Sequence, residues 1–507
     1  MTYKRLILSL LTAFAVLRVF LSLGSSLGQP QIQSRLELYQ VDLALHVAAL
    51  RADDGSDTAD LVTLRESLVG DAPYVTALEK YQSARAVTVK TLDSKRSRRQ
   101  ELIELGVESE ALAPLDLAIA DLQRFIASID LNLGLIRAQQ GKTDDALLAW
   151  AAIGSSNGSS EAQAFAGATL TQLWQEPPHV EIAAETALTD VLDGWFRYRA
   201  LQRLYLIQER VDDVKTLQAR ERALARAAAA RLVAISALPG LGGLLGLGLL
   251  LFVLGQRLVR GRESLLATKG DVVWKTPWDW EITWQVLVGG FFTFGLLVLP
   301  LAIQLLGINI VGWSARATAL FSFGTYAVLA AGGLGILWVS IRAYLPLPEE
   351  WFVWRGGNWL AWGIGGYLVA IPLVTFVSLI NQQIWQGQGG SNPLLFAIVE
   401  TQDRLALAIY LLTASAAAPL FEELIFRGFL LPSLTRYMSV WSAIALSAAI
   451  FSIAHLSLAE MLPLATLGLV LGVVYTRSRN LLAPMVLHGL WNGGTLLGLY
   501  LLGSGID

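Results

Sequence analysis

Nine stretches of the chain are apolar over a length comparable to the roughly 30 Å of hydrocarbon in a bilayer. They fall near Leu6–Leu23, Leu232–Gln256, Trp284–Leu306, Ala317–Ile341, Leu360–Ile380, Leu405–Leu431, Val440–His455, Leu462–Thr476 and Leu482–Leu502. The seventh and eighth are short for a full crossing. This pattern predicts an all-α, polytopic transmembrane helix bundle of about nine spans.

Residues 27–230 break the pattern. There the apolar positions recur at helical spacing among Ala, Leu, Glu, Arg and Gln, as in "LDLAIADLQRFIASIDLNLGLI". The interval predicts an extracytoplasmic α-helical domain built of packed hairpins. Within it, "LGLIRAQQGKTDDALLAW" resembles part of one tetratricopeptide (TPR-like) repeat, with Leu133, Gly134, Gly141, Ala146 and Trp150 at matching spacing. Arg137 and Gly158 depart from that repeat, where an aromatic and a proline are usual. The "KRSRRQ" run at 95–100 fits a solvated helix face.

Charge sharpens the division. Of the 41 acidic residues among 507, 29 lie between Gln31 and Leu232. The chain as a whole is 54% hydrophobic and only 16% charged, with a mean hydropathy of +0.52, where soluble domains carry about 25% charged residues. Lys and Arg gather beside alternate connections: Lys4 and Arg5, then Arg257 to Lys275, Arg342 and Arg355, Arg436, and Arg477 with Arg479. The positive-inside rule then sets the amino terminus in the cytoplasm and residues 27–230 outside, in a bacterial plasma membrane or a thylakoid-type membrane. Nine spans would leave the "GSGID" tail outside too. The first run reads as an uncleaved signal anchor, because "SLGSSLGQP" is a weak cleavage site. The expected domains are 1–26, the anchor; 27–230, the outer helical domain; 231–358, further transmembrane helices; and 359–507, the segment that holds the chemistry.

The absence of cysteine excludes disulfides, thiolate metal sites and a cysteine nucleophile. A net charge of −3 without an extended basic region gives no reason to expect nucleic acid. "GSSLG" and "GSSNG" match GxSxG on paper but lack the strand–turn–helix setting of a nucleophile elbow. The tryptophans of "TPWDWEITW" and "EEWFVWRGGNWLAW" fit anchoring at the membrane interface.

Candidate chemistry concentrates in "PLFEELIFRGFLL". Between Asp403 and Asp507 the only acids are Glu422, Glu423 and Glu460, and a charge within a span costs several kcal/mol unless it is partnered. Glu423 and Arg427, four apart, share a helix face and can pair. Glu422 points elsewhere and finds Ala418 and Phe426 along its own helix. Two of the four histidines, His455 and His488, follow on later spans, and Asn492 lies one turn beyond His488. Such groups need one another in lipid and should converge on a hydrated cavity. A carboxylate beside an imidazole can take a proton from water, and a second imidazole with an amide can donate to an oxyanion. The same donors, Glu422, His455 and His488, could instead hold zinc. Glu460 is expected to be a solvated loop residue.

"EELIFR", "FSIAH" and "HGLWN" resemble, in order, the EExxxR, FxxxH and HxxxN motifs of the CAAX prenyl protease and bacteriocin-processing (Abi) family of intramembrane endopeptidases. The resemblance covers roughly Leu360 to Leu502. It implies that Glu422 activates water with His455, that His488 and Asn492 stabilise the oxyanion or assist at a metal, and that Glu423 and Arg427 hold the first helix. The substrate it implies is a membrane-associated protein or peptide. A catalytically inactive scaffold or immunity factor, and a proton-coupled transporter, are the competing functions for a buried Glu/His set. The outer domain, with only His46 and His179 as imidazoles, is expected to bind a protein partner or present substrate, and the bundle to contact membrane lipid.

Overall fold

The computed structural model describes residues 2–27, 29, 31–49, 65–154, 158–310, 312–401 and 403–503. Most of "GSSNG", the last residue of "GSSLG" and the tail beyond residue 503 lie outside the described residues. Among those described, the secondary structure is helical, with no strand. Packing divides the chain into two compact units: Met1–Gln29 with Ala237–Tyr500, and Pro30–Ser236 with Leu501–Asp507.

The Pro30–Ser236 unit is a succession of helices, among them Gln33–Ala48, Pro73–Glu104, Ser109–Gln139, Thr143–Gly154, Glu161–Trp174 and Gly194–Ile207. Sequence signals set their ends. Ser160 and Gln163 form a reciprocal capping box at the start of Glu161–Trp174, and Gly141, at φ +77°, turns the chain between two helices. Trp150 fills the centre, its indole N–H donating to the Leu131 carbonyl at 3.1 Å. A Cβ on Gly134 would meet that ring at 2.1 Å, which is why glycine stands there. The repeat-like residues are thus a packed hairpin core. The boundary expected at 230/231 falls inside one continuous helix, Val211–Arg260.

The helices long and apolar enough to cross a membrane are Tyr3–Ser26, Val211–Glu263, Trp280–Leu305, Ala315–Tyr344, Trp359–Trp385, Arg404–Leu434 and Leu458–Ser478, seven among the described residues. This is an integral membrane protein. The expected seventh run forms a helix of only 14 residues, Val440–Ile453, about 21 Å long at 1.5 Å per residue. The ninth is Leu482–Gly503, which carries His488 and Asn492.

Three stretches wind as π-helix: Gln285–Val298, Thr413–Ala417 and Leu424–Leu430. Each stops two residues before a proline, Pro300, Pro419 and Pro432. A proline has no N–H for the carbonyl four residues back, so the turn before it is free to widen. Two of these stretches flank the glutamate pair. Elsewhere close approach rests on small residues: a Cβ on Gly366 would lie 2.6 Å from Leu487 and Val474 atoms.

Two expectations are corrected here. Trp278 and Trp351 turn inward instead of anchoring at the interface. Trp278 packs on Trp351 at 4.4 Å and gives its N–H to Ser433 Oγ at 2.9 Å, so the ring is buried with its one polar atom satisfied. Trp280 and Trp354 stay exposed. Glu460 is no solvated loop residue either. It sits in the first turn of Leu458–Ser478, partly buried, and accepts the Asn392 N–H at 2.8 Å.

In the helical unit, Asp42 accepts a hydrogen bond from the Tyr81 hydroxyl at 2.6 Å. Burial pushes its carboxyl up to about 7; the charge of Asp193 adds to that and the Tyr81 bond opposes it. One turn on, His46 is buried with neither ring nitrogen hydrogen-bonded among the described residues, and burial, aided by Arg199, pushes its imidazolium down to about 4. Unfolded values are about 3.9 and 6.5. Asp42 therefore strengthens folding as pH falls from about 7 to about 4. His46 weakens it as pH falls from about 6.5 to about 4. Over the shared window the two offset each other. Replacing His46 with Leu should expose the Asp42 slope: the melting temperature of the variant relative to wild type should climb as pH falls through this window. A constant difference would contradict the opposed titration.

Candidate active site

Arg427 and Glu423 lie at the centre of the bundle, both at 0% side-chain exposure. One guanidinium nitrogen donates to Glu423 Oε1 at 2.8 Å and another to the Gly468 carbonyl at 3.1 Å. The Arg427 guanidinium also stacks 4.5 Å from the centre of the Phe451 ring. Gly468 allows this because its helix runs against Val440–Ile453, where a Cβ would meet Ala448 at 2.9 Å. The expected Glu423–Arg427 contact exists although the intervening turn is π-helical.

His488, from Leu482–Gly503, joins the same carboxylate, with Nδ1 2.8 Å from Glu423 Oε1. Its Nε2 stands 4.0 Å from Glu422 Oε2, beyond hydrogen-bond range. His455 Nδ1 lies 2.8 Å from the Phe451 carbonyl, which can only accept. Nδ1 of His455 therefore carries the hydrogen, and Nε2 of the neutral ring is left with its lone pair. A carboxylate partner imposes the same tautomer on His488.

Glu422 faces the other way from its neighbour. The Tyr326 hydroxyl donates to Oε1 at 3.1 Å, while the buried Oε2 has no hydrogen-bond partner among the described residues. Glu422 and His455 line one cavity of about 450 Å³, together with Tyr326, Phe291, Phe421 and Phe426. Ser22, Ser26 and Gln29 of the amino-terminal segment complete its wall, with the 390–393 loop. That segment is fixed there: Gly390 N–H donates to the Gln29 carbonyl at 3.1 Å and Leu458 N–H to Ser26 Oγ at 3.4 Å.

Asn492 is placed differently from its expected partners. Its amide donates to the Ala414 carbonyl at 2.7 Å, inside the π-helical stretch before Pro419. Among the described residues no three His, Asp or Glu side chains gather as a metal-ligand set. Zinc held by Glu422, His455 and His488 does not fit this arrangement. Sequence reasoning missed Tyr326. The signal was present: Ser322 and Thr325 can return their hydroxyls to carbonyls of their own helix, as they do, whereas a tyrosine hydroxyl in mid-span must find another element.

The family model for type II CAAX prenyl endopeptidase Rce1-like proteins matches residues 404–494, which contain Glu422, Glu423, Arg427, His455, His488 and Asn492. The carboxy-terminal segment matches the CAAX prenyl endopeptidase family. The chain is also 25% identical over 133 residues to "Putative membrane peptidase YdiL" of Bacillus subtilis, covering 26% of this chain and 53% of that protein. The chain thus spans about half the length of the curated relative it matches. No solved structure matches. Tyr326, Ser22 and Ser26 lie outside the CAAX-type segment yet border the same cavity.

Removing Arg427 leaves the fully buried Glu423 carboxylate short of a partner. Arg427→Ala should cost on the order of 3–5 kcal/mol of stability, read as a lower melting temperature of the purified protein in detergent micelles. Glu422→Gln should leave that temperature near wild type. A melting temperature for Arg427→Ala equal to wild type would contradict the assignment.

Proposed function

We propose that this chain is an intramembrane endopeptidase that hydrolyses a peptide bond of a membrane-associated protein or peptide. The observation that carries this reading is one cavity bordered by both Glu422, with an unpartnered carboxylate oxygen, and His455, whose Nε2 has a free lone pair. Beside it the Arg427–Glu423 pair is sealed from solvent, and His488 joins that pair through Nδ1 with its Nε2 4.0 Å from Glu422 Oε2. The CAAX-type match supports the same reading.

Glu422 Oε2 takes a proton from water, with His455 orienting the water through Nε2, while the water oxygen bonds to the scissile carbonyl carbon. The carbonyl electron pair moves onto oxygen. In its imidazolium form His488 donates Nε2–H to that oxyanion, as Glu423 holds the Nδ1–H. Collapse restores the carbonyl and breaks the C–N bond, and Glu422 returns its proton to the departing amine. Asn492 secures the glutamate-bearing helix through Ala414. We place the amino terminus in the cytoplasm and residues 27–230 on the outer side of a bacterial plasma membrane, as an adaptor that presents substrate or binds a partner protein.

Membranes from cells producing wild type or Glu422→Gln should differ in their protein termini. With the variant, at least one membrane protein should persist uncleaved while the variant itself accumulates normally. Identical termini in both would overturn the endopeptidase reading in favour of a scaffold, and proton-dependent solute uptake lost in the variant would favour a transporter.

A further inference from the structure

We propose that Tyr326 is a positioning residue for this reaction: its hydroxyl fixes one oxygen of the Glu422 carboxylate so that the other, Oε2, acts on water. The inference rests on the endopeptidase reading and adds a residue from a helix outside the CAAX-type segment.

A free glutamate carboxylate is symmetric and turns easily about its last bond. Either oxygen could then face the substrate. Here the symmetry is broken. Oε1 accepts the Tyr326 hydroxyl at 3.1 Å. Oε2 has no hydrogen-bond partner among the described residues and is 4.0 Å from His488 Nε2. The glutamate helix cannot supply this donor, since Ala418 and Phe426 stand four residues either side of Glu422. Tyr326 can, because its ring is held. It meets Phe421 edge-on, with centroids 6.1 Å apart and planes at 84°. Phe421 in turn presses on Gly333 of the tyrosine's own helix, where a Cβ would lie 2.9 Å from that ring. One helix thus places both the donor and the surface against which the neighbour of Glu422 packs. Tyr326 also borders the cavity, so the contact sits where chemistry would occur.

A donor that only satisfied a buried carboxylate would affect folding. One that aims the carboxylate affects turnover. The test uses the purified full-length chain in detergent, with internally quenched fluorescent peptides, farnesylated and unmodified, as the probe. Tyr326→Phe should lower kcat by about 10- to 100-fold, the range expected for a hydrogen bond to a charged group, with KM and melting temperature unchanged. Tyr410→Phe is the control: that tyrosine is buried in the same bundle beside Ser322, and its loss should leave kcat as in wild type. If Tyr326→Phe matches wild type while Glu422→Gln is inactive, the positioning role is overturned and the endopeptidase reading stands. A raised KM or a lowered melting temperature for Tyr326→Phe also overturns it, in favour of a packing role. If wild type and Glu422→Gln are indistinguishable on both peptide sets, the endopeptidase reading itself fails, and this inference with it.

Discussion

A guanidinium and a carboxylate with no exposed surface, 2.8 Å apart inside a membrane bundle, constrain everything around them. Neither charge can be left alone in hydrocarbon. The pair draws in His488 on one side and the Gly468 carbonyl on the other, linking three helices through one ionic cluster. It also sets the direction of its neighbour. With Glu423 turned into the bundle, Glu422 is carried round the helix towards the cavity. The fully buried carboxylate and the cavity-facing one are thereby separated although they are adjacent in sequence.

The backbone is arranged to serve that cluster. Prolines at 419 and 432 leave carbonyls without their α-helical donors, and the turns before them widen. Asn492 binds the Ala414 carbonyl, five residues before Pro419 and so without a donor in the π-helical register, and ties its helix to the glutamate helix. Glycine at 468 lets a neighbouring helix come close enough for its carbonyl to meet Arg427. The Phe451 ring stacks on the Arg427 guanidinium and packs in turn on Phe426.

Much of this was legible in the sequence because lipid makes polar residues conspicuous. Glu422, Glu423, Arg427 and the two histidines stand out against apolar neighbours, and the four-residue spacing foretold the Glu423–Arg427 contact. The helical character of residues 27–230 was equally clear from periodicity. What periodicity cannot show is which helices meet. Tyr326 and Ser26 reach the cavity only through packing between segments far apart in the chain, and an aromatic such as Trp278 looks the same in sequence whether it faces lipid or core. Glu460 was misplaced for a local reason: the apolar run reads from Leu462, yet its helix begins directly after Ser457 and takes Glu460 into its first turn.

His488 is held through Nδ1 by a carboxylate that is paired with Arg427. Nitrogen-15 NMR of the full-length protein, labelled at histidine and assigned by a His488 substitution, reads this directly. The account predicts a hydrogen on Nδ1 of His488, with the signal changed when Arg427 is replaced by Ala. A His488 ring with bare Nδ1 and hydrogen on Nε2, indifferent to Arg427, would contradict it.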